Sequence, residues 1–229
     1  MFYRKNIKLL LIRLATLPVF SVLVISALFL STPVYSAQPN TTQLDSISCK
    51  QLFEKIDKQS HQVTNNERNK QLIALENALF DAIAQCKMYS GMFVLMGELQ
   101  IEMGQIPLAV VYGRKAVELD AKYWRAHKLL GSSRMLNQQS ETGLEALRTA
   151  YSLAPDNLVV QLNLTGALIE NKKHDEALSL VNKIIELNDH DHLATAYYLR
   201  SQAYNGKGLV IEAQKDAKRA QELGFALRQ

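Results

Sequence analysis

Two consecutive stretches of equal length decide the fold. They are residues 90–123, SGMFVLMGELQIEMGQIPLAVVYGRKAVELDAKY, and residues 124–157, WRAHKLLGSSRMLNQQSETGLEALRTAYSLAPDN. Small residues recur 34 positions apart, as Gly97 with Gly131 and Ala116 with Ala150. Apolar residues three and four apart give each half of a stretch one apolar helical face. A fixed period of this length therefore predicts stacked pairs of α-helices.

The period continues toward the C-terminus. A third unit, residues 158–191, keeps Leu164 and Leu187 in step with the first two, and a fourth occupies residues 194–227. The fourth unit begins two residues late, which predicts a short insertion in the loop around Asp189–Leu193. No unit can bury its apolar face alone, so the units are expected to stack into one continuous core.

These positions resemble the pattern of the tetratricopeptide-repeat family over about 138 of the 229 residues. The resemblance implies an all-α, right-handed α-solenoid of antiparallel helix pairs, with small residues where the two helices of a pair cross. Thr165 in the third unit, Gly143 in the second and Gly113 in the first depart from the pattern. We expect these departures to weaken individual crossings without changing the architecture.

Residues 48–88 precede the full units and repeat only weakly. Two helical stretches fit, from Cys49 to about Val63 and from Asn65 to about Lys87. Leu75, Leu79 and Ala82 lie 34 positions before Ala109, Gly113 and Ala116. This segment is predicted to be a degenerate helical hairpin that caps the N-terminal end of the stack.

The two cysteines, Cys49 and Cys86, lie at the start of one cap helix and the end of the other. Antiparallel pairing brings those two ends together, so a disulfide is geometrically reasonable, and export would permit it. Two buried free thiols are the alternative, because unpaired cysteine is often buried.

Residues 1–37 have the pattern of an export signal. Arg4, Lys5 and Lys8 precede an apolar run from Leu14 to Leu30, and small residues follow at Ser36 and Ala37. The alternative is an uncleaved anchor, since the run is about long enough to span a bilayer. Either arrangement places the later residues outside the cytoplasm, in the periplasm or an equivalent compartment. Residues 38–47 are polar and are interpreted as a linker.

Charge and motifs argue against several functions. The first 37 residues hold four of the 26 basic residues and none of the 22 acidic ones, so the rest of the chain is formally neutral. A nucleic-acid interface would need clustered Lys and Arg. No phosphate loop, nucleophile elbow or His-Glu-x-x-His pair occurs, so we expect no catalysis, cofactor or small-molecule substrate. The cluster Asp189-His190-Asp191-His192 is interpreted as a cap for the next helix rather than a metal site.

In tetratricopeptide arrays the first helix of each unit lines a concave groove that binds peptides or helices. Carried over by repeat position, the resemblance assigns a groove with apolar centres and one basic spot, which suits a protein or peptide partner. Lys128 and Asn163 fit two slots of the carboxylate clamp known in one subclass, but Ser132, Thr195 and Leu199 break the others. The predicted groove residues are Val94, Glu98, Ile101, Arg125, Lys128, Ser132, Met135, Leu162, Gly166, Ile169, Tyr198, Gln202 and Asn205.

The function indicated by these features is a scaffold or adaptor of the cell envelope that holds a segment of another protein. An accessory subunit that presents a substrate or partner protein to an envelope enzyme is the alternative. The membrane is expected to matter only through an uncleaved N-terminal segment.

Overall fold

The computed structural model describes residues 44–64 and 67–225, and this part of the chain contains ten α-helices and no strand. The predicted export signal at 1–37 and most of the predicted linker at 38–47 lie outside it. The helices are α1 (Ser46–Ser60), α2 (Arg68–Gln85), α3 (Ser90–Glu102), α4 (Ile106–Leu119), α5 (Trp124–Leu136), α6 (Ser140–Leu153), α7 (Leu158–Glu170), α8 (His174–Glu186), α9 (His190–Gly206) and α10 (Val210–Glu222).

Consecutive helices pack as antiparallel pairs, so the fold is the all-α solenoid that the repeat predicts. We call α1, α3, α5, α7 and α9 the first helices and α2, α4, α6, α8 and α10 the second helices. Each first helix contacts the first helix of the next pair. The backbones of neighbouring second helices stay farther apart in the described part of the chain, and side chains such as Arg148 and Glu176 bridge them. Because the backbones of the first helices approach one another more closely, the stack curves with its first helices on the concave side.

The same tight turn ends four of the first helices. The backbone N–H of the residue after the turn donates to a carbonyl five residues earlier, as Lys173 does to Leu168 (2.8 Å) and Gln105 does to Gln100 (2.8 Å). This bond satisfies a carbonyl that the helix end leaves unpaired. The turn requires one residue with a left-handed backbone conformation, that is, a positive φ. In the four turns this residue is Gly104 (φ 75°), Gln138 (φ 61°), Lys172 (φ 59°) and Gly208 (φ 76°).

Small residues set the helix crossings. Ala109, Ala116 and Ala150 have no exposed surface. A Cβ on Gly131 would lie 3.0 Å from the carbonyl oxygen of Gly143, so α5 and α6 meet backbone to backbone at that point. Gly143, a departure from the family pattern, therefore serves this close crossing rather than weakening it. Thr165, another departure, is buried and its hydroxyl donates to the carbonyl of Gln161 (2.8 Å).

The predicted cap hairpin is present as α1 and α2, and a disulfide joins Cys49 to Cys86. Its Cα atoms lie 5.7 Å apart. The first helix begins at Ser46, two residues inside the predicted linker, because the carboxylate of Asp45 accepts a hydrogen bond from the backbone N–H of Ser48 (2.7 Å). Phe53, Leu79 and their neighbours form one apolar cluster with Met92 and Met96 of α3. This cluster fixes the hairpin to the first full unit.

The predicted insertion at 189–193 is helix rather than loop. Helix α9 begins at His190 and is 17 residues long, whereas α5 and α7 have 13. The side chain of Asp189 accepts from the backbone N–H of His192 (3.2 Å) and also contacts the His192 ring (2.6 Å). Asp189 therefore caps the added turn, which absorbs the two extra residues of the fourth unit.

The last pair has a polar contact in its interior. Asp216 of α10 is buried and accepts two hydrogen bonds from Arg200 of α9 (2.6 and 3.0 Å). The hydrogen bonds that Arg200 donates to this carboxylate raise the pKa of Arg200. The guanidinium also donates to Asn182 (2.9 Å) and lies over the ring of Tyr197 (5.2 Å). Leu164 occupies the equivalent position one pair earlier, so an ion pair replaces an apolar contact at this end.

Candidate functional site

The concave surface is built from four repeat positions on the first helices. Residues at one of them, Glu98, Ser132, Gly166 and Gln202, are all partly exposed. They follow one another along the stack because neighbouring first helices are in contact. This row forms the open floor of the groove, as the repeat positions predict.

The residues of a second row, Val94, Lys128, Leu162 and Tyr198, have different surroundings. Val94 is completely buried against Ala116, Ala126 and Leu129, so its assignment as a groove residue is wrong. The first helix of the next pair, which contributes Ala126 and Leu129, covers its side chain. Leu162 has the same surroundings one step later, with Ile184 and Ala196, and remains 9% exposed.

Tyr198 belongs to the last pair that the structure describes. After α10 the ring of Phe225 stacks on Tyr198, with centroids 4.3 Å apart. Tyr198 was expected to present its ring to a partner, whereas this stacking covers one face of the ring. The remaining predicted residues of α9, Gln202 and Asn205, are partly and fully exposed, respectively.

A concave depression, which we call cavity A, lies between the cap hairpin and the first helices α3, α5 and α7. Its volume is about 670 Å³, within the range of sites that hold a ligand. Its wall combines apolar side chains, mainly of α1, α2 and α3, with polar and charged groups. The lining residues are Ile56, Ser60, His61, Val63, Arg68, Leu72, Leu75, Leu79, Leu95, Glu98, Leu99, Ile101, Glu102, Trp124, Arg125, Lys128 and Val159.

The predicted basic spot of the groove, Arg125 and Lys128, lies at cavity A and is already paired. Arg125 donates to both oxygens of Asp57 in α1 (3.3 Å each) and to Glu98 in α3 (3.1 Å). Lys128 donates to the other oxygen of Glu98 (2.9 Å). Both basic side chains are only 19% exposed. One network therefore ties three first helices together across the concave face.

Burial alone would lower the pKa of Arg125, but the hydrogen bond to Asp57 and the charge of Glu98 outweigh it and raise the pKa. The guanidinium also lies 5.7 Å from the centre of the Phe53 ring. On the opposite edge of the cavity, Arg68 of α2 pairs with Glu102 of α3. The three cations that line cavity A are thus all matched by carboxylates of the chain itself.

A second concave depression, cavity B, lies between α5, α7 and α9 and has a volume of about 350 Å³. The predicted residues Met135 and Leu162 line it, and the Ser132 hydroxyl donates to the side-chain oxygen of Asn163 (3.0 Å). Ile169, predicted to line the groove, instead packs against the core between α6 and α8. Cavity B is lined by Ser132, Met135, Leu136, Leu147, Leu162, Asn163, Gly166, Ala167, Glu170, Thr195 and Leu199.

Several residues of the two cavities were not predicted as groove residues. Asn163, Thr195 and Leu199 were considered only as slots of a carboxylate clamp, although their repeat position alone places them on the concave side. The sequence did not predict Asp57 as a site residue. The cap hairpin lacks a clear repeat, and Asp57 lies 68 residues before its partner Arg125.

The histidine-rich segment caps a helix. Asp189 and His192 hold the N-terminus of α9, and His190 and Asp191 are exposed. Among residues 44–64 and 67–225, no group of three or more His, Cys, Asp or Glu side chains converges as metal ligands would. None of the helices in that part combines the length and apolarity that a bilayer crossing requires.

Part of the repeat array matches a known sequence model, and the fold resembles solved structures. Residues 135–202 match the sequence model described as "Tetratricopeptide repeat". MamA is similar in structure, with 24% identity, a TM-score of 0.56, and coverage of 69% of this chain and 92% of that one. PilF of Pseudomonas aeruginosa gives a TM-score of 0.63 at 14% identity, covering 79% of this chain and 80% of that one.

YrrB, described as "a TPR protein with an unusual peptide-binding site", gives a TM-score of 0.55 at 16% identity. The alignment covers 77% of this chain and 93% of YrrB. At these identities the three likenesses establish the fold and leave the ligand of this chain open.

Proposed function

We propose that this tetratricopeptide-repeat protein is a non-catalytic adaptor that holds a segment of another protein in its concave groove. The observation that carries the proposal is the presence of two cavities on the concave side, both bordered by first helices. Proteins of this repeat bind protein or peptide partners, and the related fold of YrrB has a peptide-binding site. The groove mixes apolar walls with a few polar groups, which suits a peptide or helix.

We further propose that the adaptor works outside the cytoplasm. The N-terminal sequence has basic residues followed by an apolar run and small residues, as an export signal does. The disulfide between Cys49 and Cys86 agrees with this, because disulfides persist in oxidising compartments and are rare in the cytosol.

Photo-crosslinking in intact cells tests where the partner binds. A photoreactive amino acid placed at Glu170 or Gln202 lies in the groove, whereas the same group at Lys115 or Thr149 lies exposed on a second helix. We expect the two groove positions to give a discrete crosslinked protein that the two control positions do not give. Adducts formed only from Lys115 or Thr149 would move the binding surface to the second helices and contradict the proposal.

A further inference from the structure

We infer that cavity A is the anchor site of the partner and that it receives an uncharged, bulky apolar side chain rather than a carboxylate. This inference rests on the proposed function, since it names the chemistry by which the groove selects its partner. Three features of the cavity carry it: the apolar side chains in its wall, the internal pairing of its charges, and its larger volume than cavity B.

The wall of cavity A consists of the side chains that also form the core beneath the cap hairpin. Ile56 of α1, Leu72 and Leu75 of α2, and Leu95 and Leu99 of α3 turn their remaining exposed edges into it. At the rim, Val159 is 42% exposed. A volume of about 670 Å³ leaves room for an aromatic or large aliphatic side chain, whose burial there would remove apolar surface from water on both molecules.

The charges at the rim are satisfied from within the chain. A partner carboxylate could reach Arg125 only by displacing Asp57 or Glu98, both of which are themselves partly buried. Lys128 shares Glu98, and Arg68 is held by Glu102. Displacement would leave a carboxylate of the protein without its partner, which costs more than the new ion pair returns. An acidic partner therefore gains little at this site.

Asp57 has the role that a ligand carboxylate would otherwise fill. It comes from α1, which the disulfide ties to α2, so it is presented to Arg125 by a covalently closed hairpin. The predicted basic spot of the groove is thus neutralised by the protein's own cap. What remains for recognition at cavity A is shape and apolar surface.

Cavity B differs in size. It has about half the volume of cavity A, although Leu136, Leu147 and Leu199 give it an apolar lining as well. A bulky aromatic side chain would therefore have less room there. The two cavities suit different parts of one bound segment, with the bulkiest apolar side chain in cavity A.

The repeat supplies a matched pair of variants for the test. Ile101 and Met135 occupy the same repeat position in α3 and α5, and they line cavity A and cavity B respectively. Ile101→Trp fills cavity A and Met135→Trp fills cavity B. Both residues are partly exposed, and Val63→Trp fills cavity A from another wall in case Ile101→Trp does not fold.

The probe is a library of random peptides displayed on phage and selected against the disulfide-bonded protein purified from cells. We expect enriched peptides to share a Trp, Phe or Leu anchor without a required acid. Their affinity should fall roughly tenfold or more in Ile101→Trp or Val63→Trp and change little in Met135→Trp. It should also be nearly the same at low and high salt, because no net ion pair forms.

Each of the following outcomes would overturn the inference, and each points to a different explanation. Peptides lost only in Met135→Trp would place the anchor in cavity B and leave the proposed function intact. A required acidic residue, with affinity that falls as salt rises, would show that the partner displaces Asp57. Saturable binding of a fluorescent fatty acid without any enriched peptide would assign cavity A to a lipid. No binding of either probe would count against the proposed function as well.

Discussion

The turn that joins the two helices of a full unit requires one residue in the left-handed region of the backbone. Glycine supplies it at Gly104 and Gly208, but Gln138 and Lys172 stand at the same repeat position with φ near 60°. A side chain in this conformation brings its Cβ close to a carbonyl oxygen, at a cost of roughly 1–2 kcal/mol. The two central turns therefore hold strain that the outer two lack.

Exchanging residues at this position should change stability in opposite directions. Lys172→Gly should raise the free energy of unfolding by about 0.5–1 kcal/mol, because glycine adopts the left-handed region without that contact. The matched change Gly104→Lys should lower it by about 1 kcal/mol, although no neighbouring atom lies within 4 Å of the added Cβ. Denaturant midpoints of the two variants give the comparison. A lower midpoint for Lys172→Gly would mean that the turn is not strained.

The contacts of Arg125 could be predicted only in part from the sequence. The repeat placed Arg125 on the concave side, and it lies there. The repeat could not show that Asp57 would bind it, because that carboxylate comes from a hairpin with no clear repeat. Truncation of Arg125 should therefore lower the stability of the protein, since it would leave the half-buried Asp57 unpaired.

At the scale of helices, the period predicted all four full pairs, because their apolar and small residues recur at fixed positions. The period did not predict the environment of a residue where the neighbouring element differs from one pair to the next. Val94 is buried because α5 covers it, while Tyr198, at the equivalent position in the last pair, meets Phe225 instead. The added turn of α9 was read as a loop because Asp189-His190-Asp191-His192 is polar, yet Asp189 makes it the start of a helix.

The cap hairpin depends on its disulfide more than the full units depend on any one contact. Closing the 37-residue separation between Cys49 and Cys86 stabilises the paired helices by at most about 4 kcal/mol in a chain-entropy treatment. The energy of a repeat array is approximately local, so this contribution acts mainly on α1 and α2. Loss of the bond should therefore release the hairpin before it affects the rest of the stack.

Hydrogen exchange of the Cys49→Ser, Cys86→Ser double variant measures this release. We expect amides of α1 and α2 to lose protection, those at the N-terminus of α3 to lose some, and those of α6, α7 and α8 to remain as in the parent protein. Equal loss of protection along all ten helices would show that the hairpin and the repeats unfold as one unit.

At the scale of the whole molecule, the curvature of the stack and its two ends define what is available to a partner. The first helices form the concave side, the disulfide-closed hairpin covers one end, and the Arg200–Asp216 pair makes the interior of the other end polar. The groove between these two ends is the surface at which we propose that a partner segment binds.

The location of the whole protein is testable with a fusion of alkaline phosphatase after residue 60, since that enzyme is active only where disulfides can form. Export directed by residues 1–37 should give an active fusion. Replacing Arg4, Lys5 and Lys8 by acidic residues should reduce the activity by impairing export. A stable but inactive parent fusion would place the protein in the cytoplasm and contradict the proposed compartment.

The disulfide also determines how the molecule would carry a mechanical load. Tension applied to the chain ahead of Cys49 passes through the covalent bridge directly to Cys86, and the residues between them bear none of it. Those residues would otherwise contribute about 125 Å of extended chain, taking about 3.4 Å for each of the 37 steps. The oxidised protein is thus inextensible over this hairpin, and force reaches the first full repeat while Asp57 remains in place beside cavity A.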